Sequence, residues 1–355
     1  GKPKTIVLAA VQLNTLAAQI SYILGEGSHR GEKALSVLPF FHGFGLCLGL
    51  HGLLIHGMAG VLLAKFHKEE ATRLIIEHKI EYLLGVPNIF AALLAAKGFH
   101  GEDLSFIKGC FVGGDSINPQ LRQAFNSHLA QNGSQASLQE GYGLTEMVTV
   151  AAVNRQSSHK DGSVGQALPG IKVKICALAD DEGGFASLPL GQEGEICLCG
   201  LTMMLGYLDD PMATAQTIRS HEDGELWVHT GDWGYLDADD FLWFRQRIKR
   251  MIKIGGFNIF PSEVENCLLD LDFIREACAI AIEDEGKIQG IKVFLSLNRE
   301  MAEEEAQNLA DQYCRKQLPF WSLPSYWEIC PALPLTSVGK ADFHALEKME
   351  KARVK

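Results

Sequence analysis

Basic residues are in short supply in this chain: 32 lysines and arginines against 43 aspartates and glutamates, a formal net charge of -11 at pH 7. That deficit excludes a nucleic-acid coat, because a phosphate backbone needs clustered cations in excess. A few local cations can still hold a small anionic ligand. Metal-ligand spacing is missing as well. The nine cysteines are scattered, and the nearest two, Cys197 and Cys199 in "GEICLCG", alternate as in a strand and cannot close a tetrahedral zinc site alone. None of the twelve histidines falls in an H-E-x-x-H pattern. Scattered thiols without a signal-peptide pattern point to a reducing, cytoplasmic setting.

Long unbroken hydrophobic runs are absent too. The nearest approach, "GFGLCLGLHGLLIHGMAGVLLA" at residues 43–64, is interrupted by six glycines and two histidines. It has no basic flank to orient it in a bilayer, so it reads as a buried helix followed by a short buried strand, "AGVLLAKF", with no transmembrane span. Repeats and low-complexity tracts are missing. What remains, 355 residues that are 47% hydrophobic and 21% charged, is ordinary globular composition, long enough for two domains with real cores.

The first part alternates strand-like runs, "IEYLLGVP" and "FIKGCFVGG", with helical ones such as "PNIFAALLAAKG", where Pro87 suits a helix start. Alternation of this kind predicts a mostly parallel α/β sheet whose strand-end loops hold ligands. From about Gly165 the texture changes to short runs ("IKVKICAL", "GEICLCG", "LWVHTGDWGYLD", "FLWFRQR") that suggest a small antiparallel β unit. After Lys249 it changes again. Helical faces in "PSEVENCLLDL" (Val264, Cys267, Leu268, Leu271) and "EEEAQNLADQYC" (Ala306, Leu309, Ala310, Tyr313) flank the strands "ACAIAI" and "IKVFLSLN", which makes an α+β domain. The expected division is 1–164, 165–246 and 247–355.

Several short stretches carry chemistry. In "EGYGLTEM" two glycines flank Tyr142, letting backbone approach a ligand while the ring offers a stacking face. Thr145 and Glu146 then place a hydroxyl beside a carboxylate, a pair that suits a phosphate oxygen and a hard divalent cation. The same octapeptide also reads as a plain Gly-rich turn opening a helix. In "HTGDWGYLD", Asp232 follows a Gly turn at a strand end and can accept from vicinal hydroxyls, or serve only the turn. "RQRIKRMIK" packs five cations into nine residues before a Gly-Gly pair, which alone is a solvated face. The chain opens on "GKPK", the trailing edge of a Gly-rich anion loop, and "LPLTSVGKADF" carries Lys340 after a Gly turn.

Taken in order, "GKPK", "LPFFHGFG", "EGYGLTE", "GSVGQALPG", "GEICLCGLTMMLGY", "HTGD", "RQRIKRMIKIGGFNIFPSEVE" and "PLTSVGK" resemble the adenylate-forming superfamily of acyl-CoA synthetases, adenylation domains and luciferases, over almost the whole chain. The resemblance implies a fold: an N-terminally incomplete α/β large domain with a β-barrel-like unit, and a mobile α+β C-terminal domain. It also implies ATP-dependent activation of a carboxylic acid to acyl-AMP, with pyrophosphate released, followed by thioester formation with coenzyme A.

Roles follow motif by motif. The resemblance gives Glu146 the Mg2+ and Thr145 a phosphate contact, with Lys4 at the phosphate loop. It sets Tyr142, Gly114 and Asp115 around the adenine and assigns Asp232 and Arg247 to the ribose. Lys340 becomes the mobile catalytic ammonium, a point-charge role that suits lysine, and His42 a gate beside the acyl pocket. Lys249 falls at the hinge. Gly255 and Gly256 leave room for a pantetheine arm, with Lys253 assisting.

The chain departs from the pattern in places. The Ser/Thr/Gly-rich run before "GKPK" is absent and Thr5 takes a glycine's place; Gln246, Asp240 and Phe343 stand where Asp or Gly, Gly, and Arg are usual. "IFPSEVE" resembles the CoA-ligase version of its motif, and the apolar 43–61 stretch suits a fatty or other apolar acid. An α-amino acid substrate is not expected, since Gly43 and Phe44 follow His42 where an Asp would pair with its ammonium. Transfer to an acyl carrier protein and a non-catalytic nucleotide- or acyl-binding fragment are the alternatives. The chain itself is expected to keep AMP and acyl contacts in part, with ATP turnover needing what precedes Gly1.

Overall fold

The computed structural model describes residues 4–25, 27–178, 185–254, 257–284, 287–335 and 341–353. The chain divides into two compact units, Gly1–Phe244 and Arg245–Lys355. The first is built on a seven-stranded sheet in the order Ala59–Leu62, Lys33–Ser36, Tyr82–Gly85, Gly109–Val112, Leu138–Tyr142, Ala152–Val153, Gln166–Ala167. The first five strands are parallel and the last two turn antiparallel.

Alternate residues of the parallel strands supply two cores, as a sheet covered on both faces requires. Tyr82, Leu84 and Phe111 pack with Leu16 and Ile20 of the helix Ala10–Leu24. Leu83, Cys110, Val112 and Leu138 face Phe90 and Phe125 of the helices Pro87–Leu94 and Pro119–Gln131.

The glycine-broken stretch 43–64 departs from the expected single buried helix. It forms a π-helical segment Phe44–His51, a short α-helix Gly52–Ile55 and the strand Ala59–Leu62. Cys47, Leu48 and Leu53 are buried, but Leu54 and Ile55 are exposed, and the strand lies on the sheet edge with Leu62 at 62% exposure. Periodicity showed an apolar strand, but an edge position depends on which strands pair, and composition does not carry that. Among the described residues no helix is long and apolar enough to cross a membrane.

The second sheet of this unit runs Ile218–Ser220, Leu226–Leu236, Gly194–Gly200, Ile171–Cys176, antiparallel throughout. A fifth strand, Leu242–Arg247, pairs with Leu226–Leu236. Lys160, in the loop between two strands of the first sheet, ion-pairs with Asp237 at 2.7 Å and Asp239 at 2.6 Å on the second.

The second unit holds the antiparallel pair Ile274–Asp284 and Lys287–Leu297 with Tyr326–Ile329 added in parallel. The helices Pro261–Leu269 and Glu303–Gln317 cover it through Val264, Leu268, Ala306, Ala310 and Cys314. The expected face of the second helix is rotated: Leu309 is exposed and Cys314 takes the buried position. Its first turn carries Glu303, Glu304 and Glu305 and its last Arg315 and Lys316, the polarity that the helix dipole favours.

Candidate functional site

Strand Leu138–Tyr142 delivers "GYGLTE" to the end of the parallel sheet, where ligands of such sheets bind. Thr145–Met147 is one tight 3-10 turn and does not open a helix. It leaves the Thr145 side chain exposed and Glu146 half-buried. The turn ends on Val148 at φ 68, ψ -57, a strained γ-turn conformation for a β-branched residue, although Val148 is buried.

Glu146 does not stand alone. The Tyr207 hydroxyl donates to its Oε1 at 2.5 Å, and the Lys4 ammonium lies 4.5 Å from the centre of the Tyr207 ring. The strand Ile6–Val7 pairs antiparallel with Gly206–Tyr207, so the backbone just after Lys4 is held to the "LGY" motif. Lys4, Tyr207 and Glu146 therefore form one chain of contacts: a cation, a hydroxyl and a carboxylate beside an exposed threonine. Hard oxygen donors of this kind fit Mg2+ better than a softer metal.

Asp232 sits inside a continuous strand, Leu226–Leu236, and not at a strand end as the sequence suggested. The register against Gly194–Gly200 slips between Glu195 and Cys197: Glu195 faces Trp233, and Cys197 faces His229. The slip is a bulge centred on Gly231 at φ 69. A Cβ there would meet nothing within 4 Å, so the glycine serves backbone conformation and not space. The bulge turns Asp232 inward, 1% exposed, to accept the Tyr142 hydroxyl on Oδ2 at 2.6 Å. The Tyr142 ring leans on Phe244 with centroids 5.8 Å apart. Tyr142 and Asp232, 90 residues apart in the chain, thus meet across the two sheets.

Gly114 and Asp115 follow the neighbouring strand Gly109–Val112 and are exposed. Asp115 Oδ1 accepts from the Ser116 amide at 3.0 Å. Between that strand end and "GYG" lies a buried ion pair, Arg122 with Glu140. Burial pushes the Glu140 carboxyl up against the pull of the Arg122 guanidinium.

His42 is exposed. Its Nδ1 accepts from the Phe44 amide at 3.1 Å. The next residue, Gly43, packs so closely on the strained turn that a Cβ would overlap the Val148 carbonyl oxygen. The His42 loop and the Glu146 turn are therefore in direct contact.

The remaining candidates belong to the second unit. Arg247, Lys249 and Lys253 are all exposed. Lys253 lies on the hairpin Ile252–Ile254 and Phe257–Ile259, opposite Asn258, and Phe257 stacks on Trp321 at 4.7 Å with rings 4° from parallel. The buried Gln246 accepts from the Ser262 hydroxyl at 3.2 Å, so its departure from the usual residue has a structural use. Phe343 carries the Arg250 guanidinium 4.7 Å from its ring centre. Lys340, Gly255 and Gly256 lie outside the described residues.

Sequence reasoning missed Tyr207, Val148 and the Arg122–Glu140 pair. The tyrosine closing "MMLGY" was visible but carries no mark of chemistry by itself. A valine at the centre of a γ-turn with positive φ runs against its own propensity, and residue type therefore hides it.

Comparison with known proteins agrees with this layout. The AMP-binding enzyme family matches residues 1–208, and the AMP-binding enzyme C-terminal domain matches residues 263–340. The chain is 33% identical over 344 residues to a long-chain-fatty-acid–CoA ligase of Bacillus subtilis, covering 96% of this chain and 58% of the relative. It is likewise 33% identical over 352 residues to 4-coumarate–CoA ligase CCL1 of Humulus lupulus, covering 96% and 61%. It thus spans about three fifths of the length of these curated relatives. Among solved structures, O-succinylbenzoate coenzyme A synthetase of Bacillus subtilis in complex with AMP superposes with a TM-score of 0.80 at 26% identity, covering 96% of this chain and 65% of that one. With one family match over residues 1–208 and a second over residues 263–340, the chain belongs to the AMP-binding enzyme family of the adenylate-forming superfamily.

Proposed function

We propose that the protein activates a carboxylic acid with ATP to an acyl-adenylate and transfers the acyl group to coenzyme A, and that the acid is fatty or otherwise apolar. The observation that carries this reading is the contact chain Lys4–Tyr207–Glu146 beside exposed Thr145, within one sheet-end of the Tyr142–Asp232 pair. In this reading the first group would serve the triphosphate and the second the nucleoside. Relatives named for fatty-acid, 4-coumarate and O-succinylbenzoate ligation to CoA support the reaction class. The apolar side chains of the Phe44–His51 segment, next to the Glu146 turn, support the apolar acid.

The difficulty of the first step is bringing a carboxylate against a polyphosphate, so charge must be neutralised where it develops. Glu146 would hold Mg2+, which when bound neutralises phosphate oxygens, and Thr145 would contact a phosphate. Lys4 adds a cation at the phosphate end. Asp232 accepts from the ribose hydroxyls while its hydrogen bond from Tyr142 fixes the carboxylate's orientation. Arg247 would contact the ribose, and Lys340 would serve both the attacking carboxylate and the phosphate. The hinge role proposed for Lys249 would separate this step from thioester formation, in which Lys253, Gly255 and Gly256 would admit the thiol arm.

Pyrophosphate release from the full-length protein, measured over a panel of acids with and without CoA, tests the reading. Acid-dependent release followed by CoA-dependent thioester is expected, and the absence of any acid-dependent release ends the proposal. Lys340→Ala should abolish adenylate formation yet spare transfer from supplied acyl-AMP, with bulky substitution of Gly255 or Gly256 doing the reverse. Equal damage to both half-reactions by Lys340→Ala contradicts the division of labour.

A further inference from the structure

The second sheet of the first unit gathers donors that the spacing of the sequence kept apart. Cys176 ends the strand Ile171–Cys176, Cys197 lies within Gly194–Gly200, His229 within Leu226–Leu236, and His221 just past Ile218–Ser220. Donor atoms of Cys176, Cys197 and His221 all lie within 4.8 Å of one another, and so do those of Glu195, Cys197 and His229. Cys176 and Cys197 are fully buried free thiols, and His229 and Glu195 are each 8% exposed.

Cys197 belongs to both groups and links them. Cys197 Sγ stands 3.7 Å from His229 Nδ1 and 4.0 Å from its Nε2. Sulfur and nitrogen donors on one tetrahedral zinc ion are separated by about 3.6 Å. The Nε2 atoms of His221 and His229 approach to 2.9 Å, which two imidazoles tolerate only by sharing a proton or a cation. His221 Nδ1 is buried and has no hydrogen-bond partner among the described residues, although a buried ring nitrogen normally finds one. Glu195 grips His229 Nδ1 through Oε2 at 2.8 Å and accepts the Gly231 amide on Oε1 at 3.0 Å. A carboxylate holding the second nitrogen of a histidine is how metal-binding imidazoles are oriented. Phe185 closes the cluster from above, its ring centre 4.3 Å from that of His229 and 5.5 Å from that of His221. His221 is only half-buried and marks the way in.

We propose that Cys176, Cys197, His221 and His229 bind one zinc ion, with Glu195 orienting His229. The site is structural: it offers four protein donors and lies in a sheet interior, apart from Glu146 and Thr145. Binding exchanges the two thiol protons for the ion, so that the zinc dithiolate is neutral and two protons leave to solvent. Donors brought in by three strands and the residue after a fourth need no spacing along the chain.

The test uses Zn2+ and Co2+ alone on the purified protein. Elemental analysis is expected to give one zinc per chain, and the cobalt-substituted protein should show thiolate-to-cobalt charge transfer in the near ultraviolet. Cys176→Ser and Cys197→Ser should lose that band. Glu195→Gln should keep it with metal affinity lowered about 10- to 100-fold. Cys199→Ser, on the same strand but outside the cluster, should bind as the parent does. Because a buried cysteine variant can fail to fold, His221→Ala at the half-buried position is the second variant: unchanged far-ultraviolet circular dichroism with weakened cobalt binding supports the site. Substoichiometric zinc after saturation, a Cys197→Ser protein with the parent cobalt spectrum, or a Cys176–Cys197 disulfide in the freshly isolated protein each overturn it.

Discussion

The two sheets of the first unit each deliver one acid to the candidate site, and they do so by different means. The parallel sheet ends a strand, makes a short turn and sets Glu146 on it, half-buried, next to a strained valine. The antiparallel sheet keeps its strand running and inserts a bulge, which sinks Asp232 to 1% exposure beneath Tyr142. A turn at a strand end suits a carboxylate that must reach a mobile, hydrated charge. A bulge in mid-strand suits one that must hold a fixed direction, because both sides remain tied into the ladder.

The comparison breaks first at Glu146. Glu146→Ala should lower the rate of adenylate formation about 10²–10³-fold with thermal stability nearly unchanged, as expected for a charge used in the transition state; steady-state pyrophosphate release and a melting curve measure both. If melting falls in step with the rate, the two acids do not differ in kind. Asp232→Asn should act on binding: KM for ATP rises about 10- to 100-fold, the worth of a charged hydrogen bond, while kcat holds. A fall in kcat alone would reverse its role.

Gly231→Ala sharpens the point, since the site is sterically open and only the backbone objects. The left-handed conformation costs an alanine about 1–2 kcal/mol, read as a lower denaturant midpoint accompanied by a raised KM for ATP. Unaltered stability would mean that the bulge relaxes freely. The smallest effect concerns the seam between the sheets. Burial raises the Asp237 pKa, but Lys160 and the Trp243 and backbone donors outweigh it and bring the group down from 3.8 to about 2. A depressed carboxylate stabilises the fold above its unfolded pKa and loses that contribution as pH falls through the folded one. Melting temperature should therefore drop between about pH 4 and pH 2, and Asp237→Asn should flatten that limb. An unchanged acid limb in the variant would remove Asp237 from the seam.

Much of this was legible. The α/β alternation, the antiparallel unit and the α+β tail follow from periodicity, and "GYGLTE" and "HTGD" marked Glu146, Tyr142 and Asp232. The bulge was not, because two extra residues leave the local pattern of Leu226–Leu236 looking like a strand with a turn. Tyr207 escaped since its partner Glu146 is 61 residues away. Cys176, Cys197, His221 and His229 escaped for the same reason: strand register, not spacing, brings them together.

The contact between Gly43 and Val148 has a consequence for how the site can change over generations. Where no Cβ fits between the acyl-side loop and the carboxylate turn, substitutions in "FFHGFG" and in "GLTEMV" are epistatic: each alters the cost of the other, and their effects do not add. A new substrate range reached through the His42 loop alone would carry a penalty at Glu146, and paired replacements across this contact are the accessible route.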